Sequence, residues 1–370
     1  RLLVGETPAS TDGVMAGLQS AGVKSKFVSR MVPCGTDAKT GKPIFMNTLI
    51  FESKKPLRGR TKKTAMTKAP LRGESKDDDS GGDDDPEAQL EIPVVMGHGW
   101  GSGLGLFYRN FDAVASIPGV RLYAIDWLGM GRSSRCTFPK ACFRGLQPSN
   151  NCGLNSEEAK KTRTAEAREH DLRQVRRAEN FFIDALEKWR ESLGLSKMIL
   201  FGHSLGGYLS TVYSIRHPER VSRLLLCSPV GMPKPPADLD ERAMSTWRGR
   251  TFRWLWETTT PQSVLRGLGW VGRKMVNKFV WGRWADLEDI EEQELEKIAA
   301  YLHTISVLPQ SGELASNSIL RFGAYARNPL GDRFRAGEVG TCNFDVGHHH
   351  ISLSLCPTSS GEGANVLHLR

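Results

Sequence analysis

The chain has 370 residues, a formal net charge of +9, a sequence pI near 9.2 and 39% hydrophobic residues, enough for one large α/β domain with an inserted subdomain. No uninterrupted apolar run approaches the ~20 residues of a membrane-spanning helix, so any membrane contact is expected to be peripheral. The seven cysteines (34, 136, 142, 152, 227, 342 and 356) are odd in number and lack C-x-x-C spacing, which argues for a reducing, intracellular setting and against a disulfide framework or a zinc site. The basic balance suits an anionic partner, a phospholipid surface or a nucleic acid, but no nucleic-acid-binding fold accompanies the charge. Because the chain begins at Arg1, its natural start is expected to lie upstream; a cytoplasmic setting is expected and a mitochondrial one is left open.

In chain order, residues 1–43 form a variable N-terminal segment of weak periodicity, with Met15 to Leu18 as part of a short helix. A core follows over 44–232. Ile44 to Glu52 reads as a strand. Residues 53–89 read as a disordered charged insert, basic from Lys54 to Arg72 and acidic from Asp77 to Glu87. Ile92 to Met96 is a buried strand that ends in Gly97-His98-Gly99-Trp100-Gly101. Phe107 to Ser116 looks helical, and Val120 to Asp126 is the next strand. A long helix is expected from Glu157 to Leu193, with Val175, Ala178, Phe181, Phe182, Ala185, Leu186 and Trp189 on one apolar stripe. Met198 to Phe201 and Val221 to Cys227 are further strands. Strands alternating with helices in this way imply a mostly parallel sheet covered on both faces.

Residues 233–320 differ in composition and read as a helical cap. Six of the nine tryptophans lie between 247 and 284, and nine basic residues face one acid, Glu257, between Arg242 and Trp284. Tryptophan interleaved with arginine suits a lipid headgroup interface, although most of these indoles are expected to pack the cap on the core. An acidic amphipathic helix is expected from Asp286 to Leu302, with Leu287, Ile290, Leu295, Ile298 and Leu302 on its apolar side. Residues 321–370 form a residual segment that leaves the pattern after about 335.

The chemistry concentrates at Gly202-His203-Ser204-Leu205-Gly206, a G-x-S-x-G placed where a buried strand turns into a helix. Such a turn strains the backbone at the serine, and Gly202 and Gly206 offer no Cβ to clash. Ser204 is the candidate nucleophile. The amide of Leu205, at a helix N-terminus, can face a developing oxyanion, and the strand followed by H-G-x-G nominates the Trp100 amide as the second donor. Nothing in the sequence calls for a metal or an organic cofactor.

Four stretches, 98–112, 123–134, 176–233 and 311–330, together resemble one branch of the α/β-hydrolases: the N-acyl-phospholipid lysophospholipases, the lipid-droplet coactivator of adipose triglyceride lipase and the fungal cardiolipin-specific deacylases. The resemblance implies an α/β-hydrolase core with an inserted helical cap and a lipid substrate. It also implies residence at a peripheral membrane or lipid-droplet surface, where the chain acts as an acyl hydrolase, as a lysophosphatidic acid acyltransferase or as a non-catalytic adaptor with a lipase partner. Ser204 matches the hydrolytic members. The family's acid and base belong to turns near the C-terminus, and the last strands of the core are expected to be missing here. Gly347-His348-His349 has the local form of the histidine turn, so His348 is the candidate base, with Asp345 and Asp332 as candidate acids. The reading is therefore a serine phospholipid or lysophospholipid hydrolase; a capped peptidase ranks lower because the arginine-rich cap offers almost no acidic anchor for a substrate amine.

Overall fold

Among the described residues seven strands build one sheet in the order β1-β2-β4-β3-β5-β6-β7. They are β1 (Phe27–Thr36), β2 (Pro43–Phe51), β3 (Ile92–Gly97), β4 (Val120–Ile125), β5 (Met198–His203), β6 (Val221–Cys227) and β7 (Asn365–Leu369). β1 with β2 and β2 with β4 pair antiparallel, and every later pairing is parallel. The computed structural model describes residues 18–19, 22–52, 91–139, 157–236, 238, 245–247, 249–251, 256, 259–335 and 365–369, with backbone alone for 157–164, 335 and 365–369. The charged insert expected at 53–89 lies outside the described residues.

The helices are α1 (Tyr108–Ala115), α2 (Glu157–Ser192), α3 (Leu205–Arg216), α4 (Pro261–Leu268), α5 (Trp270–Trp284), α6 (Glu292–Ser306), α7 (Gly312–Ile319) and α8 (Leu330–Arg335). Strand residues divide by parity between two cores, as a pleated sheet covered on both faces requires. Val95, Tyr123 and Ile125 join Phe182, Leu186 and Trp189 of α2 and Tyr208 and Val212 of α3. Val94, Met96, Leu122 and Ala124 join Phe111 and Ala115 of α1. From Ala178 to Trp189 the stripe expected on α2 is this core face, with Phe181 partly buried and packed against it, and Val175 is buried as well. Trp189 is fully buried and donates its indole N–H to Thr48 Oγ1 at 2.9 Å, tying α2 to β2.

Two strands depart from the sequence reading. β1 falls in the segment taken as irregular; its mixed inward and outward pattern reflects an edge strand with a bulge between Pro33 and Gly35. At the other edge the last core strands were expected to be missing, yet β7 continues the sheet beside β6, and no further strand follows among the described residues.

Between β6 and β7 the chain leaves the sheet for a helical insertion. Thr260 caps α4 by accepting from Ser263 N, and Pro261 takes the first helical position, where its missing N–H costs nothing. α5 and α6 pack through Val276 and Val280 against Leu295, Ile298, Ala299 and Leu302. The acidic helix begins later than its pattern suggested, at Glu292, and Leu287 is 53% exposed rather than on the packed side. Of the described tryptophans in this region, Trp256 is buried and Trp281 and Trp284 are partly buried, while Trp247 and Trp270 are exposed.

Replacing Trp189 by Ala removes a fully buried indole and the donor to Thr48, so the variant should lose ~3–5 kcal/mol of stability. Equilibrium urea unfolding monitored by circular dichroism measures this loss.

Candidate active site

Ser204 stands between β5 and α3 with φ 54° and ψ −117°, a left-handed backbone that a side chain rarely adopts. Main-chain bonds hold it there. Its N–H donates to Cys227 O at 3.0 Å, and its carbonyl accepts from the amides of Tyr208 and Val230, both at 3.2 Å. The neighbouring glycines are needed for contact rather than for flexibility. A Cβ on Gly202 would lie 2.5 Å from Gly206 O, and one on Gly206 would lie 2.3 Å from Gly97 O and 2.6 Å from His98 O. The first turn of α3 thus rests directly on the chain leaving β3, and residues 205–214 of that helix are all buried.

This contact brings the predicted oxyanion groups to one place. The Leu205 amide is the first of α3, with no carbonyl four residues back inside the helix to receive it. Across from it runs the turn His98 to Gly101. A Cβ on Gly99 would sit 3.0 Å from Ser204 Cβ and 3.4 Å from its Oγ, so the turn carrying the Trp100 amide passes directly over the hydroxyl. The Trp100 ring packs against Trp256 with centroids 5.4 Å apart and planes tilted by 40°, which fixes one side of the turn to the insertion.

A polar cluster behind the turn sets its shape, and the sequence reading missed it. His98 is 1% exposed; its Nδ1 lies 2.8 Å from Gly99 O, and its Nε2 accepts from Trp127 N at 3.2 Å. Those two bonds specify the neutral tautomer with the proton on Nδ1. Burial pulls the imidazole pKa below its ordinary value, outweighing the opposite pull of Asp126, whose Oδ1 is 3.7 Å from Nε2. Asp126, equally buried, accepts from Leu104 N (2.8 Å), Arg132 N (2.9 Å) and Asn47 Nδ2 (2.7 Å). Gly131 (φ +49°) has no room for a side chain, because a Cβ there would meet Asp126 Cγ at 2.1 Å. Tyr301 of α6 completes the group by accepting from Gly105 N at 3.1 Å, and its phenol is pushed upward by burial first and by the Asp126 charge second. The signal for Asp126 was a strand-terminal aspartate running into a turn with glycines at 129 and 131.

Ser204, Leu205, Trp100, Gly202 and Gly206 are therefore gathered at one point. His348 and Asp345, the candidate base and acid, lie outside the described residues. Asp332 lies on α8 and ion-pairs with Lys234 at 3.2 Å. Of the histidines flanking the elbow, His98 has both ring nitrogens engaged. His203 is exposed, and protein atoms crowded around it, followed by the Arg283 charge, lower its pKa. A small, partly open cleft lies beside the turn, with Trp100, Met130 and Ile305 among its apolar walls and Ser102, Gln262 and Arg266 among its polar ones.

The family model for the alpha/beta hydrolase fold matches residues 92–281, just over half of the chain. The chain belongs to this family. As an alpha/beta hydrolase it is related to lipases of lysophospholipids and to proteins named acyltransferases. It is 31% identical over 87% of its length to a probable 1-acylglycerol-3-phosphate O-acyltransferase of Oryza sativa subsp. japonica, covering 66% of that protein. It is 34% identical to a (lyso)-N-acylphosphatidylethanolamine lipase of Bos taurus, over 67% of this chain and 62% of the relative. It is 33% identical to the 1-acylglycerol-3-phosphate O-acyltransferase ABHD5 of Sus scrofa, over 69% and 61%. The chain spans roughly half to two thirds of the length of the curated relatives it matches.

The contact at Gly206 can be tested against a glycine that has space around it. Gly206→Ala must push the Gly97 and His98 carbonyls aside and should lower the thermal midpoint by several degrees or abolish soluble expression. Gly282→Ala, on an exposed face of α5 with nothing within 4 Å, should stabilise by ~0.5–1 kcal/mol. Differential scanning calorimetry of the two variants compares them directly.

Proposed function

We propose that this alpha/beta hydrolase is a serine acyl hydrolase of phospholipids or lysophospholipids that works through an acyl-Ser204 intermediate. The observation that carries the reading is the strained Ser204 packed beneath the Gly99 turn, with the Leu205 amide at the start of α3 and the Trp100 amide across from it. In this scheme Ser204 Oγ attacks the ester carbonyl carbon and its proton passes to an imidazole. The carbonyl oxygen, now negative, is received by the Trp100 and Leu205 amides. Such preorganised donors lower the barrier because they need no reorientation as charge develops, each being worth on the order of 3 kcal/mol. Collapse of the tetrahedral species expels the alcohol with the proton returned by the imidazole, and water then attacks the acyl-serine.

His348 is the base and Asp345 the acid nominated for these transfers. His98 is unsuited, since its Nδ1 proton and Nε2 lone pair are both committed to the main chain. The helical insertion acts as a cap over the site, and the working surface is a peripheral membrane or lipid droplet. Among the described residues no helix is long and apolar enough to cross a membrane.

A second reading, acyl transfer to lysophosphatidic acid, draws support from the rice relative, whose alignment extends over 87% of this chain. It differs only in the acceptor that attacks the acyl-serine. The third, a lipase-binding adaptor that holds an acyl ligand without turning it over, predicts an inert hydroxyl. A fluorophosphonate probe should label the full-length protein at Ser204 and leave Ser204→Ala unlabelled. Release of fatty acid from a lysophospholipid should fall on the order of 10³-fold or more in that variant. Radiolabelled acyl groups recovered on added lysophosphatidic acid instead of as free acid would favour transfer. An unlabelled serine would leave the adaptor.

A further inference from the structure

Helix α5 carries two apolar strips, and among the described residues one of them packs against α6. Gly272, Val276 and Val280 recur every four residues and are buried, Gly272 against Leu265 of α4 and the two valines against α6. On the adjoining face, about 100° round the helix, Val271, Met275 and Phe279 recur with the same spacing and are 37%, 49% and 62% exposed. Trp270, at the start of the helix, is 71% exposed. Beside this strip Lys274 and Lys278 form a second row one turn apart, with Lys274 Nζ 4.6 Å above the Trp270 ring. Arg273 and Arg283 are also exposed, and no acidic residue occurs between 270 and 284. An apolar stripe bordered by lysines on a helix without acids is the pattern of a helix lying in the plane of a lipid interface.

We propose that α5 is the surface by which this protein docks on a bilayer carrying anionic phospholipid headgroups. Val271, Met275 and Phe279 enter the acyl boundary. Trp270 sits at headgroup depth, and Lys274 and Lys278 extend to phosphate and carboxylate groups. The proposal deepens the lipid-directed reading of Ser204, since it supplies the surface from which substrate would be drawn.

Charge sets the orientation. Asp286, Glu288, Asp289, Glu291, Glu292 and Glu296 are exposed just beyond α5 and along α6, so that side is repelled by an anionic surface while α5 is attracted. The same charge disfavours a second copy of the chain as occupant. A two-fold contact through this strip would bring the Lys274 and Lys278 rows of both copies together.

The test uses the full chain carrying Ser204→Ala, so that no turnover alters the lipid and the result stands whichever way the labelling of Ser204 falls. Co-sedimentation is measured with vesicles of phosphatidylcholine alone and of phosphatidylcholine with phosphatidylserine. Preferential, salt-sensitive binding to the anionic vesicles is expected. Met275→Asp with Phe279→Asp should weaken it at least tenfold, and Lys274→Glu with Lys278→Glu should abolish the preference for anionic lipid. These side chains are exposed, so unchanged circular dichroism and thermal midpoints are expected of all four substitutions. Binding that survives the paired aspartates overturns the proposal, as does equal binding of parent and lysine variants to both vesicle types. A concentration-dependent dimer that is lost with Phe279→Asp, without vesicle binding by the parent, overturns it in favour of self-association.

Discussion

The candidate site depends on one close approach, that of the first turn of α3 to the carbonyls of Gly97 and His98. It is a contact of backbone on backbone, with no space for a methyl group at Gly206 or Gly202. Gly97 and Gly202 are register partners on the adjacent parallel strands β3 and β5, so the two chain exits leave the sheet side by side at its C-terminal edge. One exit becomes the serine elbow and the other the Trp100 turn. Ser204 pays for this proximity with a left-handed backbone costing about 1–3 kcal/mol, and the three main-chain bonds around it offset that strain. Because both candidate oxyanion donors are main-chain amides, neither depends on the rotamer of its own side chain.

The Trp100 turn would still be free to lift away without the polar cluster beneath it. A buried carboxylate is costly unless donors surround it, by several kcal/mol per ion. Asp126 meets that condition with donors from three separate segments, Asn47 on β2, Leu104 after the turn and Arg132 in the next loop. Each charge-assisted bond contributes about 1.5–3 kcal/mol, so together they can offset the desolvation. The constraint also explains why His98 is neutral: it is the acceptor for Trp127 N, and protonation would remove that acceptor inside a dry site. Tyr301 and the Arg109–Glu294 ion pair at 2.5 Å then connect the same loop and α1 to the insertion. Cleft and elbow are thus braced by one set of contacts.

What could be read from the sequence follows the range of each interaction. Strands β2 to β6 are short apolar runs bounded by turn residues, and the elbow is five consecutive residues, so both are local signals. The core face of α2 was legible because helical spacing alone brings Val175 to Trp189 into line. β1 was not, because an edge strand buries only part of one face and its FVSRMVPCGT reads as irregular. β7 is five residues in a segment without periodic context, and only its pairing with β6 makes it a strand. Asp126 escaped notice as a site residue for a related reason: its partners are 6, 22 and 79 positions away, and no spacing rule joins them.

The insertion shows the same limit from the other side. Its composition, tryptophan with arginine, pointed to a lipid interface, but composition cannot assign a residue to a face. The structure divides the indoles, burying Trp256 near Trp100 and leaving Trp270 in solvent, and it shows that Met275 and Phe279 contribute exposed apolar surface as well. A helix with apolar residues all round is ordinarily enclosed on every side. Here α6 covers one face, and the lysines beside the other keep it compatible with water until an apolar, negatively rimmed surface is present. That arrangement ties the two halves of the molecule to one chemistry. In the proposed reading the elbow offers a nucleophile to an ester, and α5 offers a place for the rest of the lipid to stay in its bilayer.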